Sequence, residues 1–122
     1  MSSKKVLIVD DEEKNRRLLK DVLEKVGYKV VIANDGERGV QIALSEKPDL
    51  ILMDMQMPIK NGLEATREIK GNPLTSNIPV IAFTALAMKG DEDKVRTAGC
   101  DDYISKPVQI RALLEKVASY LQ

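Results

Sequence analysis

The short apolar runs of this chain do not alternate with polar residues. "KVLIV" (5–9), "DLILM" (49–53) and "IPVIAF" (78–83) are hydrophobic almost throughout, whereas a strand with one face in water reads apolar, polar, apolar. Runs of this kind need cover on both faces. The cover is written between them, where stretches of helical periodicity follow each run, and "KVVIA" (29–33) and "DYIS" (102–105) continue the alternation to the end. That order predicts an α/β fold, a doubly wound five-stranded parallel sheet in the order 2-1-3-4-5, with strands one, three and four at its centre.

The helical stretches each carry one apolar stripe. Leu18, Leu19, Val22, Leu23 and Val26 recur at helical spacing, with Gly27 as the stop. Val40, Ala43 and Leu44 make a shorter stripe in the second helix, and Ile110, Leu113, Leu114, Val117, Ala118 and Leu121 a longer one in the last. In "NGLE", Asn61 stands three residues ahead of Glu64, a capping arrangement for a third helix that runs through Ile69 and Lys70 and breaks at "GNP". The segment "MKGDEDKVRTAG" (88–99) offers Gly90 near its start and just Met88, Val95 and Ala98 as apolar contacts. It is expected to be the least firmly anchored helix.

Composition narrows the chemistry. A chain of 122 residues suits one domain spanning 1–122. Nineteen basic and nineteen acidic residues cancel and aromatics are 3%, so neither a nucleic-acid surface nor a base-stacking platform is signalled. One cysteine, Cys100, excludes an internal disulfide or a CxxC metal site and reads as a small buried apolar residue. No signal-like or membrane-length apolar run occurs, so no membrane role and a cytoplasmic location are expected. The absence of histidine removes Ser-His and Cys-His nucleophile pairs, the usual zinc sites, and phosphohistidine chemistry on the chain itself. Carboxylates, lysine and hydroxyls remain.

In an open doubly wound sheet the functional crevice lies beyond the carboxyl ends of the strands. Asp54 ends the third run, Asp10 and Asp11 follow the first, and adjacency of strands one and three brings the three carboxylates together. Such a cluster repels itself unless a cation sits within it. An all-oxygen donor set with few protein ligands favours Mg²⁺, with Mn²⁺ as a substitute. Thr84 closes the fourth run and Lys106 follows the fifth, adding a hydroxyl and an ammonium that suit phosphoryl oxygens. The set points to phosphoryl transfer onto a carboxylate, with Asp54 as the nucleophile. Blander roles stand beside these: Asp10 and Asp11 as caps of the first helix, Thr84 as a β-branched strand residue, and Tyr103 as plain core.

The motifs "VLIVDDE", "DLILMDMQMPIKNG", "IAFTA" and "YISKP" stand in an order that resembles the receiver domains of bacterial two-component response regulators, over essentially the whole chain. The resemblance implies a flavodoxin-like (βα)5 fold with Asp54 as phosphoacceptor. It further implies Asp10, Asp11 and the backbone carbonyl of Gln56 as metal ligands beside Asp54, and Thr84 and Lys106 as phosphoryl-binding groups. Tyr103 would turn with Thr84 as a switch, and the Lys106–Pro107 bond would be cis. The partners it implies are a histidine kinase or histidine phosphotransfer protein upstream and a protein target downstream. That target would be met through the face of segment 88–99, the fifth strand and the last helix, by a chain that is monomeric before phosphorylation. "TALAMKGDEDKVRTAGCDDYISKP" is similar to stand-alone cell-cycle receivers and to receivers of hybrid kinases, and with no effector segment after Gln122 the output is expected to be a protein contact. Gln56 and Leu86 stand where chemotaxis receivers carry water-orienting polar residues, so a long-lived phosphoryl state is expected. Two competing classes are weighed against this one. A haloacid-dehalogenase-like phosphatase would carry a second Asp where Gln56 stands, and a phosphorylation-independent binding module would not need the acidic cluster.

Overall fold

The computed structural model describes residues 3–55, 61–84 and 96–121. The strands are β1 (Lys5–Val9), β2 (Lys29–Ala33), β3 (Leu50–Asp54), β4 (Val80–Thr84) and β5 (Asp102–Ser105). The helices are α1 (Glu13–Lys25), α2 (Gly36–Glu46), α3 (Gly62–Gly71) and α4 (Ile110–Leu121). The five strands form one parallel sheet in the order β2-β1-β3-β4-β5, the expected doubly wound arrangement.

Non-alternation in the sequence becomes two cores in space. Successive strand residues point to opposite faces, so Val6, Ile8, Leu50, Leu52, Ile81 and Phe83 meet Leu19 and Leu23 of α1 and Leu113 and Val117 of α4. Their neighbours Leu7, Val9, Ile51, Met53, Val80 and Ala82 meet Ala43 of α2 and Ala65 and Ile69 of α3. β3 and β4 are buried along their whole length and β1 in four of its five residues, whereas β2 and β5 are the partly exposed edges.

Element ends follow local chemistry. Asn61 caps α3 by accepting the Glu64 N–H at 2.9 Å, as its spacing predicts. α1 stops two residues before Gly27, whose φ of +102° is one that a residue with a Cβ adopts poorly. Some expectations shift. Leu18 and Val26 fit the α1 stripe but are about half exposed, and Leu19 and Leu23 alone of that stripe are fully buried. β4 begins at Val80 rather than at 78, because Pro79 has no N–H to give the ladder. Asp54 and Thr84 hold as expected and are the last residues of their strands. Of segment 88–99, Arg96 to Gly99 are described, closing with a Gly99 N–H to Arg96 carbonyl bond of 3.0 Å. Met88, Gly90 and Val95 lie outside the described residues.

Candidate functional site

The carboxyl rim gathers the residues expected there. Asp10 leaves β1 with its N–H donating to the Ala33 carbonyl at 3.1 Å, and its Oδ1 accepts the Glu12 N–H at 2.8 Å. Its carbonyl accepts from Arg16 Nη1, also at 2.8 Å. Asp54 ends β3 with 2% of its surface exposed, and Lys106 Nζ, from the turn after β5, donates to Asp54 Oδ1 at 3.0 Å. One carboxylate oxygen from each of Asp10, Asp11 and Asp54 lies within 4.8 Å of the others, two residues buried and Asp11 exposed. The capping alternative fails in its simple form: Glu12 is the N-cap of α1, and its side chain makes no capping bond. Asp10 makes a local turn and still faces the cluster.

Burial is felt most at Asp10. Loss of water around its carboxylate, reinforced by the charge of Asp54, raises its pKa from 3.8 to about 6 against the opposing pull of the Glu12 N–H and Lys106. A buried carboxylate so close to two others is a group in want of a cation. Three hard oxygen donors within bridging distance fit a hard divalent ion such as Mg²⁺. Beside the cluster a cavity of about 250 Å³ opens between α1 and the turn after β5, lined by Asp10, Asn15, Leu18, Leu19, Phe83, Lys106, Pro107 and Val108. The Lys106–Pro107 bond is cis, as the resemblance implies.

Thr84 is buried at the end of β4, and its carbonyl accepts the Lys106 N–H at 2.8 Å, so the ladder itself carries Lys106 to the rim. Tyr103 is neither plain core nor free. Its ring packs partly against the core, with the Arg96 guanidinium 5.9 Å and the Lys116 ammonium 6.0 Å from its centroid. Lys116 in turn binds Asp102 Oδ1 at 2.9 Å and the Tyr103 carbonyl at 3.1 Å. Gln56 and Leu86 lie outside the described residues.

Three contributors have no signature in the sequence. Gly62 lets the start of α3 approach the Asp54 carbonyl and Met55, where a Cβ has no room. Arg16 and Lys116 act on backbone carbonyls, and a carbonyl partner cannot be read from spacing alone.

Fold and rim together define a flavodoxin-like α/β domain with an acidic cluster fit for a cation at its carboxyl rim. The chain belongs to the response regulator receiver domain family, whose pattern matches residues 6–118. It is 45% identical over 118 residues to the polar-differentiation response regulator DivK of Brucella anthropi, covering 97% of this chain and 96% of that one. The DivK of Brucella abortus is 44% identical over 119 residues, with 98% and 97% covered. Among solved structures, the receiver domain of sensor histidine kinase PA1611 from Pseudomonas aeruginosa, which holds a magnesium ion in its active-site cleft, superposes with a TM-score of 0.91. It is 32% identical, with 98% of each chain covered. The chemotaxis protein CheY4 of Vibrio cholerae shares the fold with a TM-score of 0.92 at 24% identity. Receiver domains are two-component signalling domains rather than classical enzymes, and they work with histidine kinases or phosphotransfer proteins and with downstream targets. No helix among the described residues is long and apolar enough to cross a membrane.

Proposed function

We propose that residues 1–122 form one receiver unit that accepts a phosphoryl group on Asp54 and signals through a phosphorylation-dependent protein contact. The observation that carries this reading is the pairing of a buried Asp54 with Lys106 Nζ at 3.0 Å, inside a cluster of three carboxylates within 4.8 Å. A partly buried ion pair whose carboxylate also faces two further acids is poorly suited to a purely structural role. It suits charge that arrives in pairs.

In the transfer, an Asp54 carboxylate oxygen attacks phosphorus in line with the phosphorus–nitrogen bond of a partner's phosphohistidine. The acyl phosphate bond forms, the phosphorus–nitrogen bond breaks, and the imidazole leaves with the electron pair. Asp10, Asp11 and Asp54, with the carbonyl of Gln56, would hold Mg²⁺ or Mn²⁺, which supplies charge neutralisation at the phosphoryl oxygens. Lys106 meets another of those oxygens without leaving the rim, since its backbone is fixed by Thr84. The Thr84 hydroxyl donates to a third, and its movement admits Tyr103 toward the space it leaves. The readout is a protein target met through segment 88–99, of which 96–99 are described, together with β5 and α4, with the kinase or phosphotransfer protein on the rim side and the chain monomeric before modification.

Intact mass after incubation with acetyl phosphate or phosphoramidate, with and without Mg²⁺, tests the acceptor. The expected result is one phosphoryl group gained with Mg²⁺ by wild type and none by Asp54→Asn. A wild type that stays unmodified with Mg²⁺ and a competent phosphohistidine donor would remove the reading's main support.

A further inference from the structure

The Asp10 carbonyl stands just past the end of β1, where the ladder no longer supplies its donor. It takes one from α1 instead. Helical side chains lean toward the N-terminus, so Arg16, in the first turn of α1, reaches back over the helix start and places Nη1 2.8 Å from that oxygen. The Asp10 carbonyl and the Asp11 N–H belong to one rigid peptide plane, so a bond at the oxygen fixes the direction in which Asp11 leaves the rim. Asp10's own carboxylate is tied separately, by the Glu12 N–H. Asp11 is exposed, and among the described residues its side chain makes no hydrogen bond or ion pair. Among the described residues, its place within 4.8 Å of Asp10 and Asp54 is therefore held by backbone rather than by a side-chain bond.

We propose that Arg16 is a positioning residue for the acidic pair: by clamping the peptide that joins Asp10 to Asp11, it holds their carboxylates at chelating separation and sets the affinity for a divalent cation. The proposal rests on the reading of the cluster as a metal site. It makes a counterintuitive claim about sign. A guanidinium near a cation site repels the cation through space, so if charge were its main effect, neutralising Arg16 would tighten binding. Positioning predicts the reverse.

The experiment titrates the full chain with Mn²⁺ and Mg²⁺ by calorimetry, for wild type, Asp10→Asn, Arg16→Met and Arg16→Lys, with thermal melts alongside. Methionine keeps much of the aliphatic stem and removes donor and charge, whereas lysine keeps both. Arg16→Met is expected to weaken binding roughly tenfold, as for other groups that orient a metal ligand from behind, and Arg16→Lys to recover most of the loss. The half-saturating Mg²⁺ for phosphorylation by acetyl phosphate rises by a similar factor, while the rate at saturating Mg²⁺ stays within about twofold of wild type. Binding that is unchanged or tighter in folded Arg16→Met would overturn the proposal. So would a lower saturating rate at unchanged Mg²⁺ affinity. Should Arg16→Met fail to fold, Arg16→Gln is read by the same criteria. A wild type that binds neither ion would instead overturn the metal-site reading itself, which separates the two failures.

Discussion

Replacing Asp10 by asparagine should make the metal-free protein more stable while spoiling its site. Asp10 is 2% exposed, and its carboxyl is raised from 3.8 to about 6, first by burial and then by the neighbouring Asp54 charge. A raised carboxyl means that the folded state prefers the neutral form. Asp10 therefore contributes stability that is fully present below the ordinary value of 3.8 and lost as pH rises through about 6. At about 1.36 kcal/mol for each tenfold change in proton affinity, the ionised group weakens the fold at pH 7.5 by about 3 kcal/mol relative to a neutral one. Asparagine is neutral and keeps an Oδ1 that can accept the Glu12 N–H.

The expected gain for Asp10→Asn at pH 7.5 in EDTA is about 1–3 kcal/mol, since the new amide packs imperfectly beside Asp54. In a domain of this size that raises Tm by roughly 5–10 °C. Circular dichroism melts and urea titrations at pH 7.5 and pH 4 check it. At pH 4 the wild-type carboxyl is already protonated in the folded state, so the difference should shrink below about 1 kcal/mol. Saturating Mg²⁺ should also narrow the gap from the other side, because an ion at about 100 times its Kd stabilises wild type by about 2.7 kcal/mol. No gain at pH 7.5, or a gain equally large at pH 4, would refute the reasoning, because the stabilisation would not then come from removing a charge.

Other perturbations test the scaffold. In Gly62→Ala the added Cβ would lie 2.8 Å from Met55 Cα and closer still to the Asp54 carbonyl, so about 1–3 kcal/mol of destabilisation and slower phosphorylation of Asp54 are expected; an unchanged urea midpoint would show that α3 gives way freely. Lys70 Nζ binds Asp101 Oδ2 at 2.8 Å and the Ile78 carbonyl at 2.7 Å, and Lys70→Met should cost about 1–3 kcal/mol, read by the same denaturation with a loss under about 0.3 kcal/mol counting against it. At Asp102 burial pulls the carboxyl upward, but bonds from Lys116, the Tyr103 N–H and Tyr120 outweigh it and hold the pKa below 3.8. Its stability is thus present above 3.8 and lost as pH falls, so Asp102→Asn should lower Tm at pH 7 and leave it nearly unchanged at pH 2.5.

The rim was legible in the sequence because two rules act on it independently. Unbroken apolar runs specify central parallel strands, and the crevice rule then places whatever polar residues end those runs at one edge. Asp10, Asp54, Thr84 and Lys106 are found there by residue type and position alone. Leu18 and Leu19 show where such reading stops. Both satisfy the helical stripe, and which one is buried depends on how α1 packs against Phe83 and α4, which periodicity does not encode. The same holds for Arg16, whose partner is a carbonyl that every residue carries. At Gly62 the demand for a missing Cβ comes from the approach of α3 to β3, a contact visible only after folding.

The formal charge at the rim explains why a cation and a phosphoryl group should be bound together. Three carboxylates against one ammonium leave a charge of −2, held where two of the acids are buried and screening is weak. Converting the Asp54 carboxylate to an acyl phosphate replaces one negative charge by nearly two, so without a cation the modification moves the cluster from −2 toward −3. With a divalent ion present it moves from neutral toward −1. Repulsion grows faster than linearly as like charge accumulates, so the same chemical step is opposed far less in the second case. Phosphoryl acceptance at Asp54 should therefore depend steeply on Mg²⁺, and by linkage the phosphorylated chain should bind Mg²⁺ more tightly than the unmodified one. Calorimetry on Asp54 modified with beryllofluoride, a stable stand-in for the phosphoryl group, is the direct check: Mg²⁺ affinity equal to that of the unmodified protein would mean that the cation and the phosphoryl group do not share this cluster.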